Sequence, residues 1–268
     1  MIDIEGGPLS AAATLERRGH IAVITLNRPE AMNAVNAALS SAVGAALEEL
    51  AADAQLRVGV ITGAGRAFCA GADLKEIARG NAIHDPDHPE YGFAGLVQHF
   101  VDKPLIAAVN GFALGGGTEI VLASDLAVMS EDASLGLPEV TRGLIAAAGG
   151  VLRLPRAIPP KIALEIALTG SPIDAATAAH WGLVNRVVPA DQVLPAALAL
   201  AETIAANAPL SVRATKRIMH RVNDFGSDWD DPIWQMSAAE AAPIFTSEDF
   251  LEGPRAFAEK RAPRWTGE

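Results

Sequence analysis

Two glutamates stand in settings where a carboxyl group can do acid–base chemistry. The first closes the run Gly115-Gly116-Gly117-Thr118-Glu119. Three glycines ahead of a helix permit tight backbone turns and leave N–H groups pointing outward at the helix N-terminus. Such a place attracts negative charge, either a phosphate or an oxyanion that develops during reaction. A phosphate loop would need Lys-Ser or Lys-Thr after the glycines. Thr118-Glu119 follows instead, and a carboxylate is the wrong neighbour for a phosphate. Glu119 falls in the first helical turn, where it can face the same cavity. The plainer reading is a glycine-rich turn that lets a helix pack closely on a strand. The second glutamate closes Leu137-Pro138-Glu139, just after a proline that fixes the backbone. The following run, Gly143-Leu144-Ile145-Ala146-Ala147-Ala148-Gly149-Gly150, is small and apolar. A carboxyl group near such a surface has a raised pKa, which a general acid at neutral pH requires. The plainer reading here is an exposed loop glutamate.

Other segments carry less. Ala72, in Ala70-Gly71-Ala72-Asp73-Leu74, offers a backbone N–H with no bulky side chain in the way. It would pair well with the Gly116 N–H, though alone it reads as an ordinary loop residue. Gly63-Ala64-Gly65-Arg66-Ala67-Phe68 brushes against a dinucleotide fingerprint, but Phe68 replaces the last glycine, so no nicotinamide site is expected. His84-Asp85-Pro86-Asp87-His88 groups four potential metal ligands. Pro86 prevents a helix that would align the histidines, so a solvated acidic loop is expected and no metal site. Cys69 follows Phe68 in an apolar run and reads as core rather than as a nucleophile. No Gly-x-Ser-x-Gly elbow occurs.

These residues need a scaffold, and the chain is long enough to build one. Its 268 residues are half hydrophobic, which suits one large domain or one domain with an appendage. The net charge of −11 argues against nucleic acid, since phosphate binding runs on Lys and Arg. One cysteine cannot form an internal disulfide or a cysteine metal cluster. Met1 to Gly7 has neither a basic region nor an apolar core, so no secretory signal is expected. The stretch Pro104 to Thr118 is uncharged but shorter than a membrane span. A cytoplasmic protein with no membrane partner is the expectation.

Short β-rich runs alternate with helical patterns in the first half. Strands are expected at His20–Asn27, Val58–Thr62, Leu105–Val109 and Leu126–Met129. Asn36 should cap a helix in which Leu39, Val43, Leu47 and Leu50 share a face. Another helix should run from the glycines to about Ala123. This order argues an α/β fold with largely parallel strands. Beyond about residue 190 the pattern turns helical, with amphipathic helices at Val193–Ala206 and Leu210–Val222. Residues 224–246 read as irregular, because of Gly226, Pro232 and Pro243. Ser247 should start a final helix with Glu248 and Asp249 in its first turn. Residues 1–190 are thus the expected catalytic core and 191–268 a helical region that caps it or drives assembly.

Taken together, these segments resemble the crotonase family, the enoyl-CoA hydratases and isomerases. The resemblance rests on Leu26-Asn27-Arg28-Pro29-Glu30-Ala31-Met32-Asn33-Ala34, on Arg66 to Lys75, on Lys103 to Glu119, on Leu137-Pro138-Glu139, on Trp181-Gly182-Leu183-Val184-Asn185 and on Ala256 to Arg261. It covers nearly the whole chain in order. It implies a spiral of ββα units with a C-terminal helical region that builds trimers, often paired into hexamers. It implies an acyl-CoA thioester as substrate and no separate cofactor. The N–H groups of Ala72 and Gly116 would form an oxyanion hole for the thioester carbonyl. Arg28, Ala31, Ala70, Asp73, Leu74 and Lys75 would contact CoA, and Phe257 and Lys260 would reach the CoA of a neighbouring subunit. Family hydratases carry glutamates at both Glu119 and Glu139, whereas the simplest isomerases keep only the second. The implied reaction is syn hydration of a 2-enoyl-CoA, with Glu119 mainly on the water and Glu139 mainly on the C2 proton.

Some positions depart from the family. Glu30 stands where many relatives carry a lysine near CoA phosphates, leaving Arg28, Arg66 or Lys75 to compensate. Ala146-Ala147 replaces a Pro-Gly or Pro-Asp, with the Ala147 N–H left to hold the water. Gly92 to Leu96, Gly150 to Pro155 and the Ser247 to Pro254 region look closest to crotonobetainyl-CoA hydratases within the family. Hydration of crotonobetainyl-CoA and isomerisation of a 3-enoyl-CoA are therefore the alternatives. A non-catalytic binding role is the reading from another class, which both retained glutamates oppose.

Overall fold

The structure, a computed structural model, describes residues 12–268. The reading of Met1 to Gly7 lies outside them. Among the described residues, ten strands and ten α-helices alternate. The first part holds β1 (Ala13–Arg18), β2 (Ile21–Leu26), α1 (Ala37–Ala52), β3 (Val58–Gly63), β4 (Ala67–Cys69) and α2 (Leu74–Ala78). The middle holds β5 (Leu105–Val109), β6 (Phe112–Leu114), α3 (Gly116–Ala123), β7 (Leu126–Ser130), β8 (Ser134–Gly136), α4 (Gly150–Ala157), α5 (Pro160–Thr169), β9 (Ile173–Asp174) and α6 (Ala175–His180). The last part holds β10 (Arg186–Val188), α7 (Val193–Ala205), α8 (Pro209–Arg221), α9 (Asp231–Phe245) and α10 (Glu248–Ala258).

Two sheets share these strands. The larger runs β1-β2-β3-β5-β7-β10 and is parallel from β2 onward. The smaller runs β4-β6-β8-β9. The pairs β3/β4, β5/β6 and β7/β8 each give one strand to the larger sheet and the next to the smaller. The chain therefore climbs as a spiral of ββα units, in agreement with the expected fold class.

The period-2 geometry of strands divides the side chains between two cores. Ile21, Val23, Val58, Val60, Ile106, Ala108 and Val128 point to one face and meet Val193, Ala197, Ala201 and Ala205 of α7. Ile24, Leu26, Ile61, Ala107, Val109 and Met129 point to the other and meet Leu39, Val43, Leu47 and Leu50 of α1 and Ile120 of α3. A strand buried on both faces reads as a continuous apolar run, as β3 does. The expected boundary at 190/191 falls just before α7, whose alanine face lies flat on the sheet.

Local chemistry sets the helix ends. The Asn36 side chain accepts the Leu39 N–H at 3.0 Å, and Ser247 accepts the Phe250 N–H at 3.1 Å. The irregular segment expected at 224–246 is corrected: most of it is α9. Pro232 sits in the first turn, where its missing N–H has no acceptor to lose, and Pro243 lies in the last turn. Ion pairs tie α8 to the spiral: Lys216 and His220 meet Asp125 at 2.7 and 2.8 Å, and Arg217 bridges Asp102 and Glu240 at 2.8 and 2.6 Å.

Candidate active site

The smaller sheet brings the two predicted amides together. Just after β4, Val35 pairs with Ala72 in a short parallel bridge. The Val35 N–H donates to the Gly71 carbonyl at 2.8 Å, and the Asp73 N–H donates to the Val35 carbonyl at 2.9 Å. Alternation along an extended strand turns the intervening Ala72 N–H to the opposite side, toward the cavity Ala72 lines. Gly116 is the first residue of α3, so its N–H has no acceptor within the helix. The two loops touch: a Cβ on Gly71 would lie 3.2 Å from the Gly116 nitrogen.

Each glycine of the triplet answers a steric demand. Gly115 has φ +55, and its N–H donates to the Gly136 carbonyl at 2.8 Å. A Cβ at Gly116 would lie 2.3 Å from the Phe93 ring, and one at Gly117 would lie 2.2 Å from the Cys69 carbonyl. The Thr118 hydroxyl accepts from the Gly136 N–H at 2.9 Å and reaches the Ala113 carbonyl at 2.7 Å. The start of α3 is thereby fixed to β6 and β8.

Both glutamates face one cavity of about 670 Å³. Glu119 is 3% exposed, and its Oε1 accepts the Gly150 N–H at 2.8 Å. Burial raises its pKa to about 7, with the Glu139 charge adding to the rise. The N–H groups of Gly150 and Ala148 and the Arg153 guanidinium pull the other way. Glu139 enters the first turn of a short 3-10 helix, Pro138–Arg142, and is half-buried. Its Oε2 is buried with no hydrogen-bond partner. Burial raises its pKa too, against the nearby Arg142 charge. Leu74, Ile77, Ile83, Phe93, Leu144 and Ile145 give the cavity apolar walls. A carbonyl whose oxygen gains negative charge would find two N–H donors at the floor and two proton-exchanging groups beside them.

The remaining expected contacts divide. Ala70 and Leu74 line the cavity. Asp73 is turned elsewhere: one oxygen caps α2 and the other holds the Arg28 guanidinium at 3.0 Å. Arg28 also donates to the Ala34 carbonyl, so its donors already have partners within the chain. Ala31 and Lys75 lie outside the cavity wall, with Lys75 exposed on α2. Phe257 is 86% exposed near the end of α10, and Lys260 follows it with φ +55. Neither lines the cavity of its own chain.

One expectation is corrected. The Ala147 N–H donates to the Ile145 carbonyl at 2.8 Å and is not free to hold a water. A tight turn there consumes it, and the N–H groups of Ala148 and Gly150 serve Glu119 instead. Phe93 and Arg153 also went unassigned in the sequence, because neither belongs to a local catalytic pattern. Cys69 is buried and its thiol is pushed up to about 12 by burial. In the His84–His88 loop, Asp85 accepts from Ser41 at 2.8 Å, while His88 stacks on Tyr91 and meets Glu90. Among the described residues no three His, Cys, Asp or Glu side chains gather as metal ligands, and no single helix is long and apolar enough to cross a membrane.

The chain shares its family and its fold with known proteins. Residues 16–268 match the model of the enoyl-CoA hydratase/isomerase family. The carnitinyl-CoA dehydratase of Proteus mirabilis is 44% identical over 262 residues, 97% of this chain and all of that one. The crystal structure of an enoyl-CoA hydratase from Mycobacterium tuberculosis H37Rv is 47% identical, with a TM-score of 0.91 over 97% of this chain and 100% of that one. A carnitinyl-CoA hydratase from Mycobacterium avium is 55% identical, with a TM-score of 0.77 over the same shares.

Proposed function

The chain belongs to the enoyl-CoA hydratase/isomerase family, and from that premise we propose that it hydrates a 2-enoyl-CoA to a 3-hydroxyacyl-CoA. The observation that carries this reading is the pairing of two proton-exchanging carboxyl groups with two inward amides at one cavity. The thioester carbonyl accepts from the Ala72 and Gly116 N–H groups. Negative charge grows on its oxygen as water attacks C3, so these bonds strengthen most in the transition state. Comparable oxyanion donors are worth about 2.7–4 kcal/mol each. Glu119, as carboxylate, takes the proton from the attacking water. Glu139, protonated, gives a proton to C2. One proton enters the enzyme and one leaves, and the adduct gains one water. With both acids facing one cavity, and so one side of an enoyl group bound there, the addition would be syn. The two carboxyl groups interact, so their titration belongs to the pair.

The proposed step adds water across the double bond with no net oxidation or reduction, and so needs no cofactor beyond the CoA of the substrate. The cytoplasm suits it. A homotrimer, alone or paired, is proposed from the apolar side chains left on the C-terminal helices: Trp234 is 64% exposed, Leu251 62% and Phe257 86%. In such an assembly Phe257 and Lys260 would complete a neighbour's CoA site, and Lys75 would stand at its mouth.

A second reading, hydration of crotonobetainyl-CoA, is favoured by the full-length likeness to proteins named carnitinyl-CoA dehydratase. Initial rates on crotonyl-CoA and crotonobetainyl-CoA test both. Turnover of crotonyl-CoA that disappears in the Glu119→Gln/Glu139→Gln double variant supports the main reading, and full activity in that variant defeats it.

A further inference from the structure

Arg153, on α4, is half-buried behind the cavity and belongs to none of the groups assigned so far. Its Nη2 donates to the Val97 carbonyl at 2.5 Å, and its Nη1 approaches the Ala148 carbonyl at 3.5 Å. These carbonyls belong to two separate segments that line the cavity. Val97 closes the turn that begins at Phe93, through an N–H bond of 3.2 Å to the Phe93 carbonyl, and the Phe93 ring rests on Gly116. Ala148 belongs to the segment whose amides hold Glu119. The backbone makes room for this link. Gly149 has φ +105, and a Cβ there would lie 2.1 Å from Arg153 Nη1.

We propose that Arg153 is a positioning residue for Glu119, tying the segment that supplies its amide donors to the wall that carries Phe93. A guanidinium suits this task because its donors are fixed in one plane and stay charged when partly buried. A link between these segments fixes where the Ala148 and Gly150 amides hold the Glu119 carboxylate, the placement on which proton transfer depends. The Arg153 charge also favours the carboxylate form of Glu119. The other groups that face Glu119 are few. Glu139 opposes its ionisation, and the Gly150 and Ala148 amides favour it. Cys69 on β4 stays a thiol, and β5, β6 and β8 carry no titratable side chain.

The inference rests on the hydratase reading for its kinetic arm but not for its spectroscopic one. The experiment compares wild type, Arg153→Met and Arg153→Lys in the full-length protein. It measures kcat and KM on crotonyl-CoA, and titrates Glu119 by infrared difference spectroscopy with Glu119→Gln as the subtraction. In Arg153→Met, kcat should fall about 10- to 100-fold with KM within about threefold. The Glu119 titration and the acid limb of kcat for hydration should both move to higher pH. Arg153→Lys keeps the charge but reaches one carbonyl, so its titration should stay near wild type while kcat falls several-fold. If wild type turns over no enoyl-CoA, the hydratase reading fails, while a raised Glu119 titration in Arg153→Met still supports the positioning role. An unmoved Glu119 titration in Arg153→Met, or in Arg153→Gln should Met fail to fold, would overturn the proposal, as would wild-type kcat in either variant.

Discussion

The two glutamates share a cavity but not a degree of constraint. Glu119 is held: its helix start is pinned by Thr118, its Oε1 has the Gly150 N–H, and it is 3% exposed. Glu139 is loosely held on a one-turn 3-10 helix, with a buried Oε2 that bonds to nothing in the protein. A carboxyl group already satisfied by fixed donors is suited to keep one place and one role. One with an open oxygen is suited to exchange a proton with whatever enters. This contrast matches a water-orienting role for Glu119 and a proton-delivering role for Glu139.

The largest effects should come from removing the carboxyl groups one at a time. Glu139→Gln is expected to lower kcat for hydration by about 10²- to 10⁴-fold, the usual range for a positioned acid or base. Glu119→Gln should cost a similar factor, but its amide oxygen can still accept from Gly150, so substrate KM should hardly move. Solvent-deuterium exchange at C2 of the product analogue sharpens the comparison: it should survive in Glu119→Gln and vanish in Glu139→Gln. Exchange lost equally in both would erase the distinction.

Stability against pH separates the pair next. Glu119 titrates near 7 in the folded chain, whereas an unfolded carboxyl group titrates near 4.3. A raised folded value means that the folded state holds the proton longer. The protein therefore loses stability as pH rises from the unfolded value through about 7, and Glu119→Gln removes that loss. Urea titrations should show the advantage of Glu119→Gln over wild type growing by about 3 kcal/mol between pH 5 and pH 8. Glu139→Gln should gain in the same direction but less, since its carboxyl group is half-buried.

Steric probes give the smallest expected changes. Gly150→Ala places a Cβ 3.0 Å from Glu119 Oε1 and 2.8 Å from the Ala146 Cβ. Gly115→Ala places one 2.8 Å from Glu139 Oε1 at a residue with φ +55. Gly115→Ala adds backbone strain of about 1–2 kcal/mol to its kinetic effect, read as a lower melting temperature. Gly150→Ala should act mainly on kcat, with a loss of about tenfold. If instead Gly115→Ala leaves the C2 exchange rate untouched, the Glu139 carboxyl group is not where the proton is passed.

Much of this site was legible in the chain itself. The strands of the larger sheet are long apolar runs, and the Gly115–Glu119 and Leu137–Glu139 segments carry their chemistry in adjacent residues. The strands of the smaller sheet escaped a pattern reading because three residues show no period, though β4, β6 and β8 set the loops that hold the amides. The helix α9 was hidden by Pro232, which a first turn accepts and a helix interior does not. The family resemblance makes Arg28 and Asp73 CoA contacts, but sequence cannot show that two such groups, 45 residues apart, pair with each other. The use of the Ala147 N–H within its own turn and the reach of Arg153 behind the cavity to the Val97 carbonyl are likewise facts of three-dimensional placement.

The most direct test follows the ultraviolet absorbance of the conjugated thioester when the purified protein meets crotonyl-CoA. The account predicts a rapid fall in absorbance, a 3-hydroxybutyryl-CoA product that carries C2 deuterium from syn addition when the reaction is run in D2O, and a rate that drops at least about 10²-fold in each single Gln variant at Glu119 and Glu139. Absorbance that stays constant with crotonyl-CoA and crotonobetainyl-CoA alike, or a rate that survives both substitutions together, would contradict it.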